Sequence, residues 1–223
     1  ELTELGVPGL MIAEENGGVG LGALDAAVVA ECLGYAVAPT PFLSTSVMAP
    51  VVLSAAGKTD TLSSIAAGTH RVGIAFAEAI GARKDAGVSF DGTTLSGKCL
   101  FALDSNADEY LIADADKKIY SISAQAQGLT ITNLATVDKT QTNCELLLDK
   151  VVAELLCDDV DVYSRALDMG RIMQAADTLG AAQSMLDQAV DYAKQREQFN
   201  RVIASFQAVK HMCADMVANL EPC

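Results

Sequence analysis

Lys194, Arg196, Arg201 and Lys210 lie in the stretch "YAKQREQFNRVIASFQAVKHMCADM" (residues 192–216). They are four of only 15 basic residues in a chain of 223 with a formal net charge of −14. A bound anion explains such a gathering, and so does a solvated helix end, where the dipole favours cations. For Arg196 alone the dipole is enough. It leaves unexplained why Phe199, Phe206 and Gln207 lie close by. A guanidinium fork holds phosphate oxygens in bidentate fashion, while amide and aromatic groups contact an adjacent ring system.

Other candidates fall to simpler readings. "GVGLGA" (residues 18–23) fits G-x-G-x-x-A after an apolar "LMIA", as in a dinucleotide fingerprint. That fingerprint also needs a βαβ unit and an acidic residue about 20 positions on. The sequence there is "TPFLST", so a flexible turn is expected instead. His70 and His211 have no evident partners for metal or triad chemistry, and no G-x-S-x-G elbow is present. Met169, Met173, Met185, Met212 and Met216 fall on helix faces, where core filling outranks a cofactor role. Asp158, Asp159 and Asp161 precede a long helical pattern and read as a cap at its positive end rather than a metal site.

Three zones must position these residues. Up to about residue 70 the chain is rich in small residues and helical in pattern. "ALDAAVVAECLGY" (23–35) reads as a helix stopped by Gly34. Pro41 opens a second helix that Pro50 would bend or break, and "TDTLSSIAAG" forms a third ending at Gly68. From about 71 to 155 the pattern shortens to strands: "RVGIAFAE", "GVSF", "TTLSGKCLF", "EYLIADA", "KKIYSIS", "GLTITN" and "CELLLD". Asp91-Gly92 marks a two-residue hairpin. Seven short strands with no helix between them predict an antiparallel barrel or sandwich. Beyond 157, Val162, Ala166, Met169, Met173, Ala176, Leu179, Ala182, Leu186, Ala189 and Ala193 lay one apolar stripe along a helix over about 162–194. Phe206, Val209, Cys213, Met216 and Leu220 mark a second. Helices of this length belong to bundles, and two do not complete one.

Bulk composition narrows the class. Apolar residues make up 51% and charged residues 20%, which excludes a disordered chain. No apolar run reaches the roughly 18 residues of a membrane span. The acidic balance opposes nucleic-acid and anionic-membrane binding. Six Cys without CxxC, and no basic-then-apolar start, point to reduced thiols in the cytoplasm. The first residue is not Met, so a fragment is expected.

The segment "TLGAAQSMLDQAVDYAKQREQFNRVIASFQAVKHMCADM" resembles the acyl-CoA dehydrogenase signature around R-x-Q-F-G and a later F-Q. "ELGVPGLMIAEENGGVGLGALDAAVVAECLG" resembles that family's E-x-x-G-G-x-G segment, and "DGTTLSGKCLFALDSNADEYLIADA" its G-x-K-x-W-I-T and A-D strand pair. The resemblance covers nearly the whole chain. It implies an α+β multidomain fold: a helical N-terminal part (1–70), a central antiparallel β-barrel (71–156) and the first two helices of an incomplete C-terminal bundle (157–223).

The same resemblance implies FAD, an acyl-CoA substrate, electron-transferring flavoprotein as oxidant, and a homo- or hetero-tetramer. It assigns the FAD pyrophosphate to Arg196, across a subunit boundary. Further cofactor contacts would fall at Gln198, Phe199, Gln207, Phe76, Ala77, Leu100 and Ala102, and substrate contacts at Asp168 and Arg171. The departures are specific. The family's T-E-P and G-S-D are "FAEAIGARKDAG" here, with Ala77 at the Thr position and Glu78 retained, and Leu100, Phe101 and Ala102 replace Trp-Ile-Thr. The resemblance places the commonest catalytic Glu in a later part of the bundle, outside this sequence, and the less common one early in the long helix at Gly170, so no catalytic residue is identified. A non-catalytic partner subunit, or an interaction module without FAD, are the alternatives.

Overall fold

In a computed structural model the described residues are 2–76 and 86–223. They group into two compact units: Glu1–Ala26 with Pro39–Ile172, and Ala27–Ala38 with Met173–Cys223. Two of the divisions fall inside helices α1 (Ala23–Tyr35) and α4 (Val160–Gln195), and the third between Ala38 and Pro39.

In the first unit, the glycine-rich segment near the start is not a loose turn. The amides of Gly18, Val19, Gly20 and Leu21 donate to the carbonyls of Ala13, Gly9, Ile12 and Leu10. A Cβ on Gly18 would lie 2.1 Å from the Ile12 carbonyl oxygen, so only glycine permits this clasp. After Pro41 the chain opens as a π-helix, Phe42–Met48, before α2 (Ala49–Ala55) and α3 (Thr59–Ala66). Pro50 sits in the first turn of α2, where its missing N–H costs little, so it marks the change of helix type instead of a break. The Thr45 hydroxyl, buried in the π-helix, donates to the Val72 carbonyl and accepts from the Val72 amide, both at 3.1 Å.

Among the described residues ten strands follow in chain order. They are β1 (Val72–Ala75), β2 (Gly87–Phe90), β3 (Thr94–Leu103), β4 (Glu109–Ala113), β5 (Ile119–Ser123), β6 (Leu129–Asn133), β7 (Asn143–Val152), β8 (Glu154–Cys157), and the short β9 (Glu197–Gln198) and β10 (Arg201–Val202). The described strands β1–β8 do not close into the expected antiparallel barrel. They form an open mixed sheet in the order β6-β7-β3-β1-β4-β5-β8, with β2 on β3. The parallel element is the pair β1/β4, with Ile74 opposite Leu111, while β1 runs antiparallel to β3 at Ile74–Leu103. Alternation within a strand shows which side chains face a core, not which partner the backbone takes, so this pairing was invisible to periodicity. The β2–β3 hairpin is also displaced by one residue. Asp91 and Thr94 pair, Gly92 (φ +103°) and Thr93 make the turn, and the Asp91 carboxylate accepts the Thr93 and Thr94 amides.

The sheet divides two apolar clusters. Leu111 and Ala113 join Ile12, Leu53, Leu62, Ile65 and Tyr163 on one side, while Tyr110 and Ile112 join Leu95, Tyr120, Leu146 and Val151 on the other. Because β4 is covered on both faces, it reads as an uninterrupted apolar run. Tyr110 donates its hydroxyl to the Asp104 carbonyl, and Tyr120 donates to the Asp114 carboxylate at 2.9 Å. Burial raises both phenols above their ordinary value of 10, Tyr120 to about 12 and Tyr110 well beyond. A raised folded value means that their contribution to stability is complete below pH 10 and is lost as the pH climbs through the folded values. In an alkaline titration, the phenolate absorbance of these two residues will appear only together with unfolding. Titration of all the tyrosines near pH 10 in a still-folded protein would contradict this packing.

In the second unit α1 runs through Gly34, which is not its stop. The Ala38 amide donates to the Leu33 carbonyl and the Val37 amide to Gly34, closing the helix on Val37 in the left-handed region (φ +53°). Gly34 serves a helix crossing instead. A Cβ there would lie 1.9 Å from the Asp177 carbonyl oxygen, and one on Gly180 would lie 1.9 Å from that of Glu31. Tyr35 then donates its hydroxyl to Asp187, which also accepts from Gln183. Helix α5 (Gln207–Leu220) has no buried residue.

Candidate functional site

The cationic stretch folds as a small hairpin after α4. Glu197 pairs with Val202 and Gln198 with Arg201, leaving Phe199 and Asn200 as the turn, both left-handed at φ +54° and +59°. Two positive φ values in a two-residue loop are the type I′ geometry that matches strand twist. Asparagine suits it, whereas a bulky phenylalanine there is strained. Phe199 is nonetheless 87% exposed. Its ring meets Phe206 edge-on at 6.2 Å, and the Arg201 guanidinium lies 4.1 Å over the Phe206 ring.

Arg196 is joined to the hairpin through its backbone, with its carbonyl accepting the Ile203 amide at 2.8 Å. Its exposed side chain makes no ion pair among the described residues. Gln198 and the first residue of α5, Gln207, are exposed as well. All four expected contact residues of this stretch therefore lie on one connection with their side chains uncommitted to a core. A free guanidinium, two amides and a solvent-facing ring suit a phosphate-bearing ligand with a flat heterocycle.

The sheet-side expectations come out differently. Phe76 is buried and packs on Tyr163 with ring centroids 5.0 Å apart. Leu100 and Ala102 are buried too. Ala77 and Glu78 lie outside the described residues. Between Cys99 and Ala102 the β3–β7 register shifts, and Phe101 at φ +53° is turned outward with 43% of its surface exposed. A bulge breaks the two-residue alternation, so spacing alone does not mark Phe101 as the outward side chain. Leu100 and Ala102 can offer an external ligand only backbone.

Asp168 and Arg171 share a hollow of about 480 Å³, lined also by Ala115, Lys117, Tyr163, Ser164 and Leu167. Arg171 donates to Asp168 at 2.9 Å, and both are about two-thirds exposed. Next to Arg171, Gly170 is buried, and a Cβ on it would lie 2.7 Å from the Met48 sulfur. A glutamate side chain at 170 would need Met48 to move. Elsewhere His70 has a partner that spacing did not reveal, Glu109 at 3.1 Å. Among the described residues no group of three metal-ligating side chains converges, and no helix is long and apolar enough to cross a membrane.

The models of the acyl-CoA dehydrogenase N-terminal and C-terminal domains match residues 1–69 and 160–222, together more than half of the chain. The chain belongs to the acyl-CoA dehydrogenase family. Acyl-CoA dehydrogenase IpdE2 of Mycobacterium tuberculosis is 33% identical over 222 residues, covering 97% of this chain and 59% of that relative. The chain thus spans little more than half of the relative's length. Among solved structures, the Tcur3481-Tcur3483 steroid ACAD variant superposes with a TM-score of 0.86 at 30% identity, covering 99% of this chain and 63% of that one. The ChsE4-ChsE5 complex from Mycobacterium tuberculosis has the same TM-score at 24% identity, with 99% and 63% covered, and shows a shared fold. The two matched segments flank in sequence a sheet that is open and mixed among the described strands.

Proposed function

We propose that this chain is a subunit of an FAD-dependent acyl-CoA dehydrogenase that desaturates an acyl-CoA thioester at its α and β carbons. The supporting observation is the hairpin between α4 and α5, where Arg196, Gln198, Phe199 and Gln207 are exposed and Phe199 is held in a strained turn. Strain of this kind at an exposed aromatic residue points to function. Arg196 would hold the FAD pyrophosphate, with Gln198, Gln207 and Phe199 at its flanks. When bound, FAD supplies the acceptor for the hydride leaving the β carbon. The hollow containing Asp168 and Arg171 would take the thioester carrier. Electron-transferring flavoprotein as oxidant, a tetrameric assembly, a cytoplasmic location and the three-part division at 1–70, 71–156 and 157–223 belong to the same reading.

A second reading has its own observation. Gly170 occupies the early-helix position where a glutamate base would stand, and the Met48 sulfur fills the space that its side chain needs. On this reading the chain is the partner subunit that lends Arg196 to a flavin site, while another chain supplies the base. The visible absorbance of the purified protein, before and after adding FAD, tests both. A protein-bound flavin spectrum is expected. If one appears only when a second, base-carrying subunit is co-purified, the partner reading holds. A protein that never retains flavin in either form would overturn the FAD assignment.

A further inference from the structure

A second hollow, of about 250 Å³, lies in the first unit and shares no lining residue with that of Asp168 and Arg171. It forms where four connections meet: the residue before β1, those after β3, those before β7, and the entry to the π-helix. The amide of Asp104, just past β3, donates to the carbonyl of Thr142, just before β7, at 2.9 Å. Asp104 is left-handed at φ +66°, a conformation that aspartate tolerates better than most residues. Its carboxylate is only 2% exposed. It accepts Arg71 Nη2 at 2.7 Å, Arg71 Nε at 2.9 Å and the Asn106 amide at 3.0 Å.

That bidentate pair fixes one edge of the Arg71 guanidinium and neutralises the buried acid. The Nη1 edge makes no hydrogen bond among the described residues, and the Arg71 side chain is 41% exposed. Lys139 lines the same hollow and makes no ion pair among the described residues. Its neighbour Asp138 is occupied, accepting both the amide and the hydroxyl of Thr140. Thr142 Oγ1 accepts the Ser105 amide, which leaves its hydroxyl proton to donate. Among the described residues, two cations and one paired carboxylate line the hollow, a balance of one positive charge in a chain of net charge −14. Pro39, Pro41, Leu43 and Leu103 give it an apolar wall.

We infer that this hollow binds a short-chain carboxylic acid as its anion. The carboxylate oxygens meet Lys139, the Nη1 edge of Arg71 and the Thr142 hydroxyl, and the carbon chain lies against Leu43 and Leu103. One positive charge balances a carboxylate. A phosphate dianion would bring more charge than the hollow can neutralise and would leave the apolar wall unused. Arg71 is already ordered by Asp104, so binding need not order it. No residue assigned to flavin or thioester lines this hollow, so binding of the acid depends on neither.

The test is a titration of sodium butyrate into the isotope-labelled chain, followed by amide NMR shifts, with sodium chloride holding the ionic strength constant. Saturable shifts are expected at the amides of Asn106, Thr140 and Thr142. In a Lys139→Gln variant the Kd for butyrate should rise about tenfold. The melting temperature should stay that of the wild type, because the Lys139 side chain is exposed. An unchanged Kd in the variant, or shifts confined to other amides, would overturn the assignment. So would an absence of saturable shifts in the wild type. Inorganic phosphate saturating the same amides at a lower concentration than butyrate would overturn the carboxylate in favour of a phosphate ligand.

Discussion

Replacing Gly180 with alanine will lower the stability of the second unit by about 2 kcal/mol or more, despite alanine being the better helix former. The new Cβ would lie 1.9 Å from the Glu31 carbonyl oxygen and 2.8 Å from the Tyr35 amide nitrogen. Both obstacles are backbone of α1, so no rotamer change relieves them, and the two helices must separate. Separation would also pull Tyr35 from Asp187, which share a 3.0 Å hydrogen bond. Gly170→Ala supplies the contrast. Its new Cβ would meet only the Met48 side chain, at 2.7 Å to sulfur, and a thioether with three rotatable bonds can give way. Urea denaturation followed by far-UV circular dichroism should therefore rank Gly180→Ala well below both Gly170→Ala and the wild type. Equal midpoints for the two variants would mean that the helices do not cross this closely.

The second large effect concerns binding. Arg196→Ala should weaken FAD binding by roughly tenfold to more than a hundredfold, the 1.5–3 kcal/mol of hydrogen bonds to a charged group. The melting temperature of the flavin-free protein should not change, because the Arg196 side chain is exposed and forms no ion pair among the described residues. Arg196→Lys should recover little of the loss, since an ammonium cannot reproduce the planar fork. Quenching of flavin fluorescence on titration gives the affinities, with the base-carrying partner present if the complex requires it. Full affinity in Arg196→Ala would leave the hairpin without its assigned role.

Much of this was legible in the residues. The stripe from Val162 to Ala193 announced α4 because a three-and-four repeat has no other regular solution, and the helix runs Val160–Gln195. Seven strand segments were evident from β-branched or alternating apolar residues, while β8 was not, since Glu154–Cys157 reads ELLC, with neither. What stayed hidden depended on distant backbone. Gly34 looked like a helix stop, but its role is set by Asp177 across a crossing, and the stop is Val37, a residue that seldom takes a left-handed conformation. Of the candidate site, the hairpin residues were found by type and spacing. Phe101 was obscured by a bulge, and Lys117 by a turn whose partner helix lies far along the chain.

The position of β1 has a consequence for how the chain acquires its sheet. This four-residue strand lies between β3 and β4, both of which come later in the sequence. As the polypeptide leaves the ribosome, residues 72–75 have no neighbouring strand until the chain has grown past Leu103, and lack the second until it has passed Ala113. Until then Val72 and Ile74 are a short apolar segment without a ladder, held at most by the Thr45 contact from the π-helix. Pairings of such long sequence separation form slowly, because loop closure precedes their reward. The strand at the centre of the sheet thus waits for both of its neighbours to be made, and nascent chains shorter than this are where a chaperone would be needed most.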